Sequence, residues 1–420
     1  MNQCPHCGAI LDTPKAAKFC TNCGSKLATP MQKEFSHIHQ RRRIRRPSPS
    51  YRPGIIIIGI IVTIGIVLSV ILIGTSFLGS LFGPSLGSGI EIFSDIDFLE
   101  YSSAGTGTKE DPYILSNYYL SEEFIGFTIQ DTSKHFIITN CTIDMCYEGI
   151  HLENVASGTA TIWGNSIFHQ DCWVWETGPR AGITIRSSPG VNIFNNSIYE
   201  AGSEGILIEN SKNCYIANNV ITGQYIGIFL EISDSTVIYN NSLTRCIEAI
   251  SCIESDFINV TQNDCINNEL AINIMISNFA LIENNYCLNI IWYDWFTSGI
   301  ILDSSMNCTV KNCSIINSSH GIFTSYTSNC QIYYNHIENN SEHGVYLSEK
   351  TESVLIFLNT FIDNNLNGTS QASDNGTSNY WYYSDLEQGN YWSDWNGTGS
   401  YSIAGSANAV DYYPLSEPPV

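Results

Sequence analysis

The sequence predicts an all-β solenoid, a rod of short strands wound into about ten turns. Three observations predict it. First, a Gly or Ala followed by an apolar residue recurs at Gly126, Gly149, Gly182, Gly205, Gly227, Ala249, Ala271, Gly299, Gly321 and Gly344. The steps are 22 or 23 residues, apart from two lengthened ones of 33 and 28. Second, short alternating runs such as GITIRSS, GILIENS and GIFLEIS lie at these marks. Alternation with period two is the pattern of a half-buried strand. Third, no stretch after residue 90 keeps a 3.6-residue period long enough for a good helix. A fixed period near 22 leaves room for three strands and three bends per turn. Ten turns at about 4.8 Å each make a rod about 48 Å long.

Within the repeat, Ile183 and Ile185 should stack on Ile206 and Ile208, then on Ile228 and Leu230. A second register runs through Asn140, Asn165, Asn196, Asn219, Asn241, Asn263, Asn285, Asn335 and Asn359. Asparagine tolerates the left-handed backbone of a bend, and its amide can bond a stacked neighbour. These asparagines are read as structural.

The parts before the solenoid follow from composition. Residues 1–27 contain Cys4, Cys7, Cys20 and Cys23 as two C-x2-C knuckles, each followed by Gly. Four thiolates aimed at one point suit tetrahedral Zn²⁺. So short a segment cannot hold a core alone, so a structural zinc would supply its folding energy. Residues 28–53 form a basic, Pro-rich linker with Arg41, Arg42, Arg43, Arg45, Arg46 and Arg52. Residues 54–82 carry no charge, and Ile55–Ile73 is a 19-residue apolar run, long enough to cross a bilayer as a helix. Arginines just before it should stay in the cytoplasm. The expected protein is thus single-pass, with the zinc ribbon inside and the remainder outside. The ribbon is a candidate docking module for a cytoplasmic protein.

Charge narrows the partners. The chain carries −22 overall, while residues 1–52 carry +8, leaving −30 on the remainder. Nucleic acid needs clustered cations, so the acidic body argues against it, and it argues against uronic-acid polymers too unless a divalent cation intervenes. Eleven N-x-S/T sequons, from Asn140 to Asn396, all follow the apolar run. They fit an exposed, glycosylation-competent domain, although a region rich in Asn, Ser and Thr produces many by chance.

Residues 83–123 are read as the lead into the solenoid, 124–365 as its repeats and 366–420 as a C-terminal aromatic cap. Three segments carry a family resemblance. GTGTKEDPYIL at 105–115, the repeats, and GNYWSDWNGTGSYSIAG…DYYPL at 389–415 resemble right-handed parallel β-helix proteins of the NosD-like, CASH-domain group. The resemblance implies a right-handed parallel β-helix placed outside the cytoplasm. It implies no single activity. A copper-related role does not carry over, since no Met-rich or dense His cluster is visible.

In each G-I-x-I strand the residues between and after the apolar pair face outward. The position after the pair reads Gln130, Glu153, Arg186, Glu209 and Glu231, and His151 lies beside Glu153. Glu209 and Glu231 are candidates for an acid/base pair, with Arg186 holding one of them ionised and His151 nearby. The same residues also fit an ordinary solvated ladder of alternating charge. His320 and His343 precede Gly321 and Gly344 one turn apart; two ligands without a third make a poor metal site.

The lengthened turns carry Trp173 and Trp175, and Trp292, Tyr293 and Trp295. Both enter just before a Gly mark, at the same bend. Two roles fit them: aromatic contacts to sugar rings, or staples folded back onto the rod. Cys265 and Cys287, like Cys308 and Cys330, are 22 residues apart and should sit on adjacent turns. Buried thiols are expected over disulfides, because eleven cysteines lie outside and the number is odd. Trp381, Trp392 and Trp395 should seal the open end.

The resulting expectation is a membrane-anchored outer β-helix that binds glycans or envelope components without catalysis. The alternatives are a carbohydrate-active enzyme working at Glu209 and Glu231, or a purely structural envelope protein.

Overall fold

A computed structural model describes residues 89–121, 123–144, 146–168, 181–200, 202–290 and 297–419. The zinc-ribbon cysteines, the basic linker, the apolar run and the five loop aromatics lie outside these residues. Among the described residues, no helix is long and apolar enough to cross a membrane.

The described chain is a parallel β-solenoid of the right-handed type. Three sheets of twelve, eleven and twelve strands run along it, here called A, B and C, and each strand pairs with the equivalent strand one turn away. Sheet A contains the Gly marks. Its ten marked strands, from Ile125–Gln130 to His343–Leu347, are extended by Ile90–Ile92 at one end and Ala372–Asp374 at the other. The expected stacking holds: Ile183 pairs with Ile206 and Ile185 with Ile208. The next turn adds Ile228 and Leu230 in the same register. All of these are fully buried.

The Gly mark records a close approach. A Cβ on Gly205 would lie 2.6 Å from the Gly227 carbonyl oxygen and 2.7 Å from a methyl of Ile221 in sheet C. Backbone and side chains meet there too tightly for most residues. Only Ala249 and Ala271 vary the position, and both are fully buried.

The asparagine register needs a correction. It consists of two adjacent columns, and they divide the two roles assigned to it. The left-handed backbone belongs to the first residue of the bend: Asn140, Asn195, Asn218, Asn240 and Asn284, with φ between 51° and 57°. The residue after it turns inward. Asn165, Asn196, Asn219, Asn241, Asn263, Asn285, Asn335 and Asn359 are buried, and their amides form the inner ladder. In Asn219, Oδ1 accepts from the Asn196 backbone N–H and amide at 3.0 Å each. Its own Nδ2 donates to Ile193 O at 3.1 Å and to Asn241 Oδ1 at 3.0 Å. The side chain thereby satisfies backbone groups that the bend takes out of the sheet ladder. A serine ladder at the A–B bend does the same: Ser188, Ser211 and Ser233 donate their N–H to Ser211, Ser233 and Ser255 Oγ.

The ten described cysteines are free and buried. Cys265 pairs in register with Cys287 inside the rod. Burial pushes the Cys146, Cys214 and Cys246 thiols up to about 11.

Both ends are sealed. The single-turn helix α1 (Phe98–Tyr101) buries Phe98 at the first end, stacked on Tyr113 at 4.9 Å. At the other end Trp392 stacks on Phe361 at 4.2 Å and on Tyr401 at 4.1 Å, while Trp381 is fully buried beside it. Trp395 packs against this core while only partly buried. Two buried carboxylates hold the indoles: Trp381 Nε1 donates to Asp374, and Trp392 Nε1 to Asp411, both at 3.0 Å.

Candidate functional site: the outer face of sheet A

Every marked strand of sheet A turns three side chains outward: the residue before the Gly, the one between the apolar pair, and the one after it. At the N-terminal end these positions gather charge. Gln130 pairs with Glu153, Glu153 with Arg186, Arg186 with Glu209, and Glu209 with Glu231, one per turn. The sequence ladder is therefore real, and neighbouring members are one strand spacing apart, about 4.8 Å.

The contacts within it are specific. Arg186 Nε donates to Glu209 Oε2. His151 stands between two carboxylates, with Nδ1 3.1 Å from Glu148 and Nε2 3.6 Å from Glu153. Both His151 and Glu148 are only 6% exposed although they point away from the core. Burial works against the imidazolium, yet the hydrogen bond and charge of Glu148, with Glu153 behind it, outweigh this and raise the His151 pKa. Burial also raises the carboxyl of Glu204, where Ser203 Oγ donates to Oε1 while Oε2 has no partner among the described residues. Glu231 is raised first by burial, then by the charges of Glu209 and Glu254. Among the described residues, Thr184 Oγ1, buried between these groups, has no partner.

The C-terminal end of the same face is aromatic. His320 and His343 lie 5.8 Å apart on neighbouring strands, and Phe323 and Tyr346 stack at 5.4 Å with planes 1° apart. His320 meets Tyr346 edge-on at 5.4 Å. Burial, then the charge of His343, holds the His320 pKa down to about 4, and burial also lowers His343. Both rings are therefore neutral at pH 7. The distance from Glu148 to His343 is eight strand steps, about 38 Å.

Four residues of this face were not singled out in the sequence. Glu148 and Glu204 occupy the position before the Gly, the same one that drew attention to His320 and His343. Phe323 and Tyr346 occupy the position between the apolar pair, where His151 sits. Extending either register along all ten marks would have found them. Trp173, Trp175, Trp292, Tyr293 and Trp295 fall outside the described residues.

Taken together, the described chain is a closed-ended parallel β-helix with one outer face charged at one end and aromatic at the other. Residues 99–286 and 246–397 match the family described as periplasmic copper-binding protein (NosD), and the chain belongs to that family. The family's periplasmic placement is consistent with an extracytoplasmic β-helix. Among the described residues, no group of three or more His, Cys, Asp or Glu is arranged to hold a metal ion. The described thiols face the interior.

Solved structures similar to this chain include the periplasmic alginate epimerase AlgG, at 13% identity over 64% of this chain and 74% of that one, TM-score 0.42. An endo-xylogalacturonan hydrolase from Aspergillus tubingensis is similar at 12% identity, covering 70% and 90%, TM-score 0.37. The Dettilon tailspike protein gp208 is similar at 13% identity, covering 72% and 62%, TM-score 0.38. No curated protein sequence matches the chain.

Proposed function

We propose that this is an extracytoplasmic β-helix protein that binds glycans or envelope components along the outer face of sheet A, without turning them over. The observation that carries this reading is the composition of that one face. A charged cluster at one end and a ring cluster at the other are about 38 Å apart. An extended polymer can lie on both, stacking its apolar ring faces on aromatics and offering its hydroxyls to carboxylates and Arg186. The loop aromatics Trp173, Trp175, Trp292, Tyr293 and Trp295 are proposed to add to that contact.

The test is retention of the full chain on a panel of immobilised polysaccharides, with released product measured alongside. Retention without new reducing or unsaturated ends supports binding. Phe323→Ala with Tyr346→Ala should weaken it about tenfold, at 0.5–1.5 kcal/mol per aromatic contact. Product release would overturn the reading.

A second reading, a carbohydrate-active enzyme, is favoured by one observation: Arg186 engages Glu209 while burial raises Glu231 on the next strand. Two carboxyl groups one strand spacing apart, one held by arginine and the other not, resemble an acid/base pair. Under that reading Glu209→Gln abolishes turnover and leaves retention intact. A purely structural role predicts neither retention nor product.

The N-terminal part completes the proposal. Cys4, Cys7, Cys20 and Cys23 hold one structural Zn²⁺, and residues 54–82 cross the membrane once, leaving the ribbon inside for a protein partner. Metal analysis should give one zinc per chain, lost in Cys20→Ser. Protease added outside intact cells should release the β-helix and leave the ribbon protected.

A further inference from the structure

The third corner of the repeat, between sheets C and A, carries a column of left-handed residues that includes Arg245, Asn267, Asn289 and Asn317, with φ between 55° and 58°. Their side chains bond upward along the rod. Asn317 Nδ2 donates to Asn289 Oδ1 at 3.1 Å, and Asn289 Nδ2 donates to Asn267 Oδ1 at 3.0 Å. By the same pattern the Asn267 amide N–H would next meet position 245. There the sequence supplies arginine, which has donors and no acceptor. The ladder therefore ends at Asn267, one turn from an arginine that offers donors only. Among the described residues, neither the Asn267 amide nitrogen nor the Arg245 guanidinium has a hydrogen-bond or ion-pair partner, and both side chains are exposed.

This junction lies in a hollow of about 500 Å³ that Ile247 and Asn289 also line. Among the described lining residues Glu269 is the one carboxylate, and it already has a partner of its own. Ile247 is 36% exposed there and offers an apolar surface. A ligand that fits must bring acceptor oxygens to the donor pair and a flat C–H face to Ile247. A planar carboxylate matches the guanidinium fork, and a pyranose ring supplies the apolar face.

We propose that the hollow at Arg245, Asn267, Ile247 and Asn289 is a subsite for a sugar residue bearing a carboxylate. The proposal rests on the glycan-binding reading and adds a ligand class to it, at a corner separate from the charged cluster. The acidic body does not forbid it, because at physiological salt exposed charges beyond about 8 Å are largely screened.

The experiment compares a short oligouronide with the same oligosaccharide after its carboxyls are reduced to alcohols, both titrated into the full chain. The acid form should bind at least about tenfold more tightly. Arg245→Gln should weaken the acid form roughly ten- to a hundredfold, as expected for losing a charged hydrogen bond, and leave the neutral form unchanged. Arg245→Lys should restore part of the loss. Because Arg245 is exposed, both variants should keep the wild-type circular dichroism spectrum. Equal binding of the two forms, or an Arg245→Gln variant that binds the acid form normally, overturns the subsite while glycan binding stands. Failure of the wild-type chain to bind any glycan on the panel overturns both.

Discussion

Replacing Asn219 by alanine should cost far more than replacing Asn218, its neighbour in the chain. Asn218 is exposed, sits at φ 55°, and its Oδ1 accepts one bond from the Asn240 amide at 2.6 Å. Alanine there has to adopt a left-handed backbone, at about 1–2 kcal/mol. Asn219 is fully buried, and its side chain and backbone N–H make five hydrogen bonds, two accepted through Oδ1 and three donated through the amide and the N–H. Its alanine variant keeps the backbone bond. It leaves the Asn196 backbone N–H without an acceptor and removes the side-chain donor to Ile193 O. One buried orphan costs about 1–3 kcal/mol, so the pair should come to roughly 3 kcal/mol or more. Urea unfolding of both variants, followed by circular dichroism, gives the comparison directly. Equal losses for Asn218→Ala and Asn219→Ala would refute the assignment of the two columns to separate roles.

Other outcomes follow from the same structure. Because His320 is held down to about 4, its contribution to stability is present above the unfolded value of 6.5 and is lost as pH falls toward 4. The loss is at most about 3 kcal/mol, and His320→Phe should flatten the stability profile across that window. Asp411 is raised by burial, so its contribution has the opposite sense: present below an unfolded value near 3.8 and lost as pH rises through the folded value. Asp411→Asn should cost about 1–3 kcal/mol, since an amide hydrogen then faces donors, and should shift the emission of Trp392. Alkylation at pH 8 without denaturant should spare all ten described cysteines, with every one modified after unfolding, as peptide mapping would report.

The solenoid was legible because its period is written three times over, in the Gly marks, the alternating runs and the asparagines. Close approach at Gly205 and inward packing of Ile206 and Ile208 recur every turn, so each strand repeats the same instruction. The asparagine columns were only half legible. In pairs such as Asn195–Asn196 and Asn240–Asn241 the same residue type serves two opposite geometries, and composition does not say which one turns inward. That pairing also explains several sequons: a bend asparagine, a ladder residue, then a polar residue at the start of the next strand, as in Asn195–Ser197 and Asn240–Ser242. The charged ladder could be placed from alternation alone. Its contacts could not, because the His151–Glu148 pair joins two different outward positions and their burial depends on what surrounds them. The serine ladder escaped notice because serine is common in this chain and forms no run.

The inner asparagine amides also give the rod a direction. Each Nδ2 donates toward the C-terminal end, to the next Oδ1, so the amide dipoles add along the column. Cys313 interrupts it: Asn285 Nδ2 meets its sulfur at 3.8 Å, and the Cys313 N–H restarts the series on Asn335. The lower segment runs through Asn359 and Asn390 and closes on the Asp411 carboxylate, 2.8 Å from the Asn390 N–H. An anion thus terminates the positive end of an aligned chain of dipoles, much as acidic residues favour the start of a helix. A further amide would have presented its own hydrogens and asked for another turn. A carboxylate accepts and offers nothing onward, so a second rod arriving end to end finds no donor to continue the series. Asp411 is in that sense a full stop to the inner column.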